Sequence, residues 1–178
     1  TATTTTNNNS RGVAYKKAAR RKDIPRPTFL WGIPCLKDDV EQRQLLRETY
    51  LSFYQDTDDD EPHRICKLAD LQTHKVSLHT DCQLAYVFFV GGNPQGHTEL
   101  VQPNETYPMV MTDNPSHPHH QEKEDDVIYL NIRENLEDGK SQTWFKYASM
   151  VVQEQGFAFD YIAKVDSDTL LFTPAFLR

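Results

Sequence analysis

Leu84-Ala85-Tyr86-Val87-Phe88-Phe89-Val90 is the stretch whose interpretation decides the fold. It is a continuous apolar run rich in β-branched and aromatic side chains, the types that fit a pleated surface. Continuous rather than alternating hydrophobicity predicts a strand covered on both faces, as in the middle of a parallel sheet. Gly91-Gly92-Asn93-Pro94 stops it. The longest apolar stretch, Leu84 to Gly92, falls far short of the roughly 20 residues that a membrane-spanning helix needs.

Upstream, Phe29-Leu30-Trp31-Gly32-Ile33 closes at Pro34 and predicts another strand. Asp38 and Asp39 then offer an N-cap, with acids favourably placed against the helix dipole. Val40, Leu46, Tyr50 and Phe53 give a stripe at three-to-four spacing that predicts a helix to about Tyr54. Asp56 to Glu61 is an acidic breaker before Pro62, and residues 63–82 show no clear period. Downstream, Gln95 to Glu124 is rich in Pro, His and Asn and long for a connection within a domain. Asp126 to Leu130 predicts a strand. Ser141 to Gln155 predicts a helix, with Trp144, Tyr147, Ala148 and Val151 as its stripe and Gly156 at its C-cap. Tyr161 to Val165 is a strand again, Asp166-Ser167-Asp168 follows it directly, and Leu170 to Phe172 offers a further short strand. Strands alternating with helices predict an α/β fold with a mostly parallel sheet flanked by helices.

Composition sets limits on function. The 178 residues are 38% hydrophobic, below the typical 45–50% or so, so part of the length is expected to join no core. Net charge is −7, from 19 Lys plus Arg against 26 Asp plus Glu, which argues against a general nucleic-acid binder. Residues 1–26 nevertheless carry Arg11, Lys16, Lys17, Arg20, Arg21, Lys22 and Arg26 against Asp23 alone. With the Thr/Asn-rich opening, this predicts a disordered tail or stem over residues 1–27. Cys35, Cys66 and Cys82 leave open one bridge with a leftover thiol, or no bridge. Asn8-Asn9-Ser10 and Asn104-Glu105-Thr106 are glycosylation sequons and lean toward a secretory compartment.

Asp166-Ser167-Asp168 is the best candidate for chemistry. Two carboxylates at the carboxyl end of a buried strand stand where open α/β sheets bind ligands. They suit a hard divalent cation while leaving coordination places open for phosphate oxygens. An EF-hand loop from Asp166 fails, because Leu171 and Leu177 stand where Gly and Glu are required. A metal-dependent phosphatase of the haloacid dehalogenase type would need Thr at 170, and Thr stands at 169. His117, His119 and His120 form a Pro-broken tract that reads as solvated loop ahead of metal site. Gly91-Gly92 lacks the Lys and spacing of a phosphate loop, and no Gly-x-Ser-x-Gly occurs. Arg43 and Arg47, four apart, share one helix face. They read either as surface charge paired with Glu41 or Glu48, or as a pair facing or bracing a nucleotide pocket.

Taken together, the motifs resemble a family. Arg43-Gln44-Leu45-Leu46-Arg47-Glu48-Thr49-Tyr50 resembles the Arg-x-x-Ile-Arg-x-Thr-Trp motif of the β-1,3-galactosyltransferase-like family, glycosyltransferase family 31. Val87-Phe88-Phe89-Val90-Gly91 is similar to its Phe-(Val/Leu)-Leu-Gly strand. Glu124 to Leu136 resembles the stretch where Asp-Ile-Ile precedes a helix bearing Lys-Thr, and Ala163 to Asp168 resembles Leu-Lys-x-Asp-Asp-Asp. The likeness spans about residues 28–173, with the motifs in family order. Tyr50 replaces Trp, Gln142-Thr143 stands for Lys-Thr with Lys140 two residues earlier, and Ser167 replaces the middle Asp. Residues 93–121 are longer than the family's loop and read as an insertion.

The resemblance implies a GT-A fold over residues 28–178, incomplete at its C-terminus. It implies an inverting, Mn²⁺-dependent (or Mg²⁺-dependent) hexosyltransferase that moves galactose or N-acetylglucosamine from a UDP-sugar to a glycan, glycoprotein or glycolipid acceptor. Asp166 and Asp168 would hold the metal, with Asp168 the more direct ligand. Arg43, Arg47 and Lys164 would join Asp166 in the donor site. The general base would come from beyond Arg178, so that this stretch alone would be inactive. The implied setting is the Golgi lumen, in a single-pass type II membrane protein whose anchor is not in this sequence. A non-catalytic interaction domain of the same fold is the rival from another class, ahead of the phosphatase.

Overall fold

In a computed structural model of the chain, the described residues are 27–52, 65–98, 108–111, 124–135, 139–169, 171 and 177. The hub is β3 (Leu84–Gly91), buried from Leu84 through Val90 as its apolar run predicts. One edge of β3 pairs with β1 (Phe29–Pro34), from Phe29 opposite Leu84 to Pro34 opposite Phe89. The other edge is shared end to end by two short strands. β2 (Ile65–Lys67) covers Leu84 to Tyr86, and β4 (Val127–Leu130) covers Phe88 to Gly91. Beyond β1 lies β5 (Tyr161–Lys164), so the order is β2-β3-β1-β5 with β4 beside β3. All these pairings are parallel; Val110 adds an antiparallel bridge to Leu130.

The strand residues alternate between two cores, which is why the run needed no polar positions. Leu84, Tyr86, Phe88 and Val90 join Trp31 and Ile33 on the face covered by α1 (Val40–Glu48), through its Leu46, and by the turn after it, through Tyr50 and Leu51. Ala85, Val87 and Phe89 join Leu30 on the opposite face, against α2 (Leu68–Gln72) and α3 (Lys140–Gln155). There Trp144 stacks on Phe89 at 5.2 Å and donates its indole N–H to the Ala163 carbonyl. Gly32 makes this possible: a Cβ at that position would lie 2.1 Å from the Trp144 ring. The molecule is thus an α/β structure with a mostly parallel five-stranded sheet flanked by helices.

Several boundaries differ from expectation. α1 ends at Glu48, not near Tyr54. Side-chain hydroxyls take over there: Thr49 donates to the Leu45 carbonyl and Ser52 to the Glu48 and Thr49 carbonyls, so the chain turns. Phe53 and the Asp56 to Glu61 breaker lie outside the described residues. Asp39 is the N-cap residue, but its carboxylate accepts from the Leu36 amide behind it and not from the helix. α3 begins at Lys140 after Gly139, whose φ of 79° suits glycine, and ends at Gly156 with φ 72°. The stretch 63–82 contains β2 and α2, and Cys66 bridges to Cys82, leaving Cys35 as a buried thiol.

Residues 1–26 of the tail, His117, His119, His120 and most of Leu170 to Phe172 lie outside the described residues. Two pieces of the 93–121 stretch are described, and both pack on the segment around β4. The Arg133 amide donates to the His97 carbonyl, Asn93 pairs with Asn131, and the Asn131 amide donates to the Met109 carbonyl. Among the described residues no helix is long and apolar enough to cross a membrane.

Candidate functional site

The parallel register brings the carboxyl ends of β1, β3 and β5 to one side of the molecule. From there α1 leaves β1 over one face of the sheet, while α3 leads into β5 across the other. The space outside the carboxyl ends of the strands is the usual ligand position in open α/β sheets. Gly32 stands opposite Lys164, and its carbonyl accepts from the Val165 amide, so β1 guides the chain into the acidic turn.

Asp166, Ser167 and Asp168 form that turn, closed by the Thr169 amide donating to the Asp166 carbonyl at 2.9 Å. Asp166 is 54% exposed and is met by the Lys164 ammonium at 2.5 Å. Asp168 is exposed and makes no ion pair among the described residues. The two carboxylates are therefore unequal: one already has a counter-ion and the other faces solvent. Among the described residues no group of three His, Cys, Asp or Glu side chains could hold a metal by itself. A cation here would rest on the two aspartates and on oxygens brought by a ligand, a donor set that fits Mn²⁺ or Mg²⁺.

Arg43 and Arg47 share one face of α1 as their spacing predicts, but their partners are neither Glu41 nor Glu48. Arg43, 1% exposed, donates to Glu124 at 2.6 Å and 3.2 Å and to the Leu36 and Lys37 carbonyls. Arg47 forks onto Asp126 at 2.8 Å and 2.7 Å, reaches Glu124 at 2.7 Å, and lies over the Phe88 ring. Tyr86 completes the group by donating to Asp126. Burial works against the charged Glu124 carboxylate, yet the hydrogen bonds from Arg43 and Arg47 outweigh it and hold its pKa below the ordinary value. Buried ions are tolerated when paired and hydrogen-bonded. The two arginines thus brace α1 and the 35–39 loop against the start of β4.

A second ion pair, a buried lysine with a half-buried glutamate, lies at the same end. Lys140, 3% exposed, donates to the Cys35 carbonyl at 2.7 Å and to Glu134 at 2.5 Å. The other Glu134 oxygen accepts from the Gly91 amide, so these two residues join the ends of β1 and β3 to the start of α3. Burial pushes the Cys35 thiol up to about 11 against the opposing charge of Arg43, so it is protonated at neutral pH. A groove of about 660 Å³ runs elsewhere, along the outer side of α3 between Met109, Phe145, Met150 and Glu154.

Of the five candidates, Lys164, Asp166 and Asp168 come together at one turn, while Arg43 and Arg47 lie behind it in an ionic brace. Sequence reasoning missed Glu124 and Asp126 as their partners, Glu134 as the partner of Lys140, and Gln42, whose side-chain amide donates to the Ser167 carbonyl at 3.2 Å. A signal was present: arginines next to the buried Leu46 require acids, and Glu124-Asp125-Asp126 immediately precedes an apolar strand. Comparisons with protein-family models, with curated proteins and with solved structures return no match.

Proposed function

We propose that the chain is the donor-binding part of a GT-A-type glycosyltransferase, using a UDP-sugar and Mn²⁺ or Mg²⁺ to glycosylate an acceptor hydroxyl with inversion. The observation that carries this is the exposed Asp166-Ser167-Asp168 turn, set just beyond the carboxyl end of a parallel strand. The order of motifs resembling glycosyltransferase family 31 supports it, as does a ring of residues that fix the loops around that end.

Asp168 would be the first ligand of the cation and Asp166 the second, after exchange of its contact with Lys164. A bound divalent cation would neutralise the charge that develops on the departing diphosphate. Lys164, released from Asp166, would stand beside the same phosphates. Arg43 and Arg47 serve the site through the brace and not by touching the nucleotide. In the transfer, the acceptor oxygen forms a bond to the anomeric carbon as the bond to the β-phosphate oxygen breaks. A carboxylate general base would take the acceptor proton. The Cys66–Cys82 bridge supports an oxidising compartment such as the secretory lumen, which agrees with a Golgi setting.

Mn²⁺ together with UDP should raise the melting temperature, and Asp168→Ala should remove that shift. An equal shift in the variant would refute the site. Absence of any shift in the wild type would favour a non-catalytic interaction domain.

A further inference from the structure

Gln42 lies in the first turn of α1, one residue before the buried Arg43. Its side-chain amide donates to the backbone carbonyl of Ser167 at 3.2 Å, across 125 residues of chain. Ser167 is the middle residue of the acidic turn. Lys164 and Thr169 restrain that turn from within the same short segment. Among the described residues, Gln42 supplies the one hydrogen bond to residues 166–168 from another element.

We propose that Gln42 is a positioning residue for the metal turn, fixing the Ser167 carbonyl so that the spacing of Asp166 and Asp168 is set before a cation arrives. This rests on the assignment of those two aspartates as the metal ligands. Two neighbouring carboxylates repel each other, and an exposed turn carrying them would otherwise sample many arrangements. Holding it in advance removes the ordering cost from the binding step. The donor is itself well anchored. Arg43 fixes the same helical turn to Glu124 and to the Leu36 and Lys37 carbonyls, and Arg47 fixes the next turn to Asp126. The acidic turn is thereby referenced through α1 to the start of β4 as well as to its own strand.

The side-chain type matters. A glutamine donates without charge, whereas a lysine would set a cation beside the incoming cation. A glutamate would place an acceptor against the carbonyl oxygen.

The test is Gln42→Met, which keeps the length and removes the donor. In the metal-free protein, amide exchange at Thr169 should quicken by about threefold to tenfold, the range expected for one hydrogen bond. The melting temperature and exchange in β3 should not change. Mn²⁺ affinity in the presence of UDP, measured by calorimetry, should weaken by a similar factor. Wild-type exchange at Thr169, or wild-type Mn²⁺ affinity, in Gln42→Met would overturn the role of Gln42. Asp168→Ala serves as the control on the assignment beneath it. If that variant binds Mn²⁺ as the wild type does, the metal turn is wrong and the inference falls with it, whatever Thr169 does.

Discussion

Replacing Gly32 with alanine tests the packing that supports the site. The added Cβ would lie 2.1, 2.5 and 2.6 Å from three carbons of the Trp144 indole. Ordinary carbon–carbon contact is about 3.5–4.0 Å, so the ring would have to retreat by about 1.4 Å. It has little room. Trp144 is 0% exposed, stacks on Phe89, and donates its N–H to the Ala163 carbonyl. Overpacking of this kind costs about 1–3 kcal/mol, and a broken indole hydrogen bond about 0.5–1.5 more. A total of about 1.5–4.5 kcal/mol is a large part of the roughly 5–15 kcal/mol that stabilises a domain. At about 2–4 °C per kcal/mol for this chain length, the melting temperature should fall by about 3–18 °C. Urea unfolding followed by tryptophan fluorescence reports on Trp31 and Trp144, both buried. Trp144→Phe removes the bulk that meets the new methyl, so the double variant should be more stable than the sum of the two single losses predicts, by about 1 kcal/mol. Because Gly32 pairs with Lys164 and accepts from Val165, Gly32→Ala should also weaken the Mn²⁺ binding proposed for the acidic turn. A loss below about 0.5 kcal/mol, or additive single and double losses, would refute the steric argument.

Two further outcomes are expected. The folded Glu124 pKa lies below its unfolded value, so the stability it contributes is full above the ordinary carboxylate pKa of 4.5 and is lost as pH falls through the depressed folded value. The gap in melting temperature between wild type and Glu124→Gln should therefore narrow below about pH 4.5; a constant gap down to pH 3 or so would contradict the brace. Replacing Cys66 and Cys82 with serine opens a loop of sequence separation 16 and should cost about 2–4 kcal/mol, read by denaturant unfolding. A loss near zero would mean that the β2 edge holds without the bridge.

The central elements were legible because they are long and strongly patterned. The run from Leu84 to Val90 announced a strand covered on both faces, and the Trp144, Tyr147, Ala148, Val151 stripe announced α3 almost to its ends. β2 and α2 were hidden because three and five residues are too few to display a period. Both gain their stability from β3, which a local reading does not see. The end of α1 was overestimated because Tyr50 continues the apolar spacing while its neighbours Thr49 and Ser52 bend the chain by hydrogen-bonding backward. At the candidate site, the sequence predicted Asp166 and Asp168 directly after a strand, and the structure has them in a turn one residue beyond β5, after Val165. The partners of Arg43 and Arg47 lie about 80 residues away in sequence, and pairing at that distance is a product of the fold. Gln42 carried no signal, because one neutral side chain donating to a backbone carbonyl leaves no trace in composition or spacing.

The seam between β1 and β5 also sets a schedule for making the protein. Thr28 meets Asp160 across 132 residues of chain, which at about 5–20 residues per second takes roughly 7 to 26 s to synthesise. Through that interval β1 is already on the nascent chain, with one edge able to receive β3 and the other still waiting. An open strand edge beside apolar side chains is a ready template for the wrong neighbour. The acidic turn follows β5, the last of the described strands, so it would take its place only as this vulnerability ends.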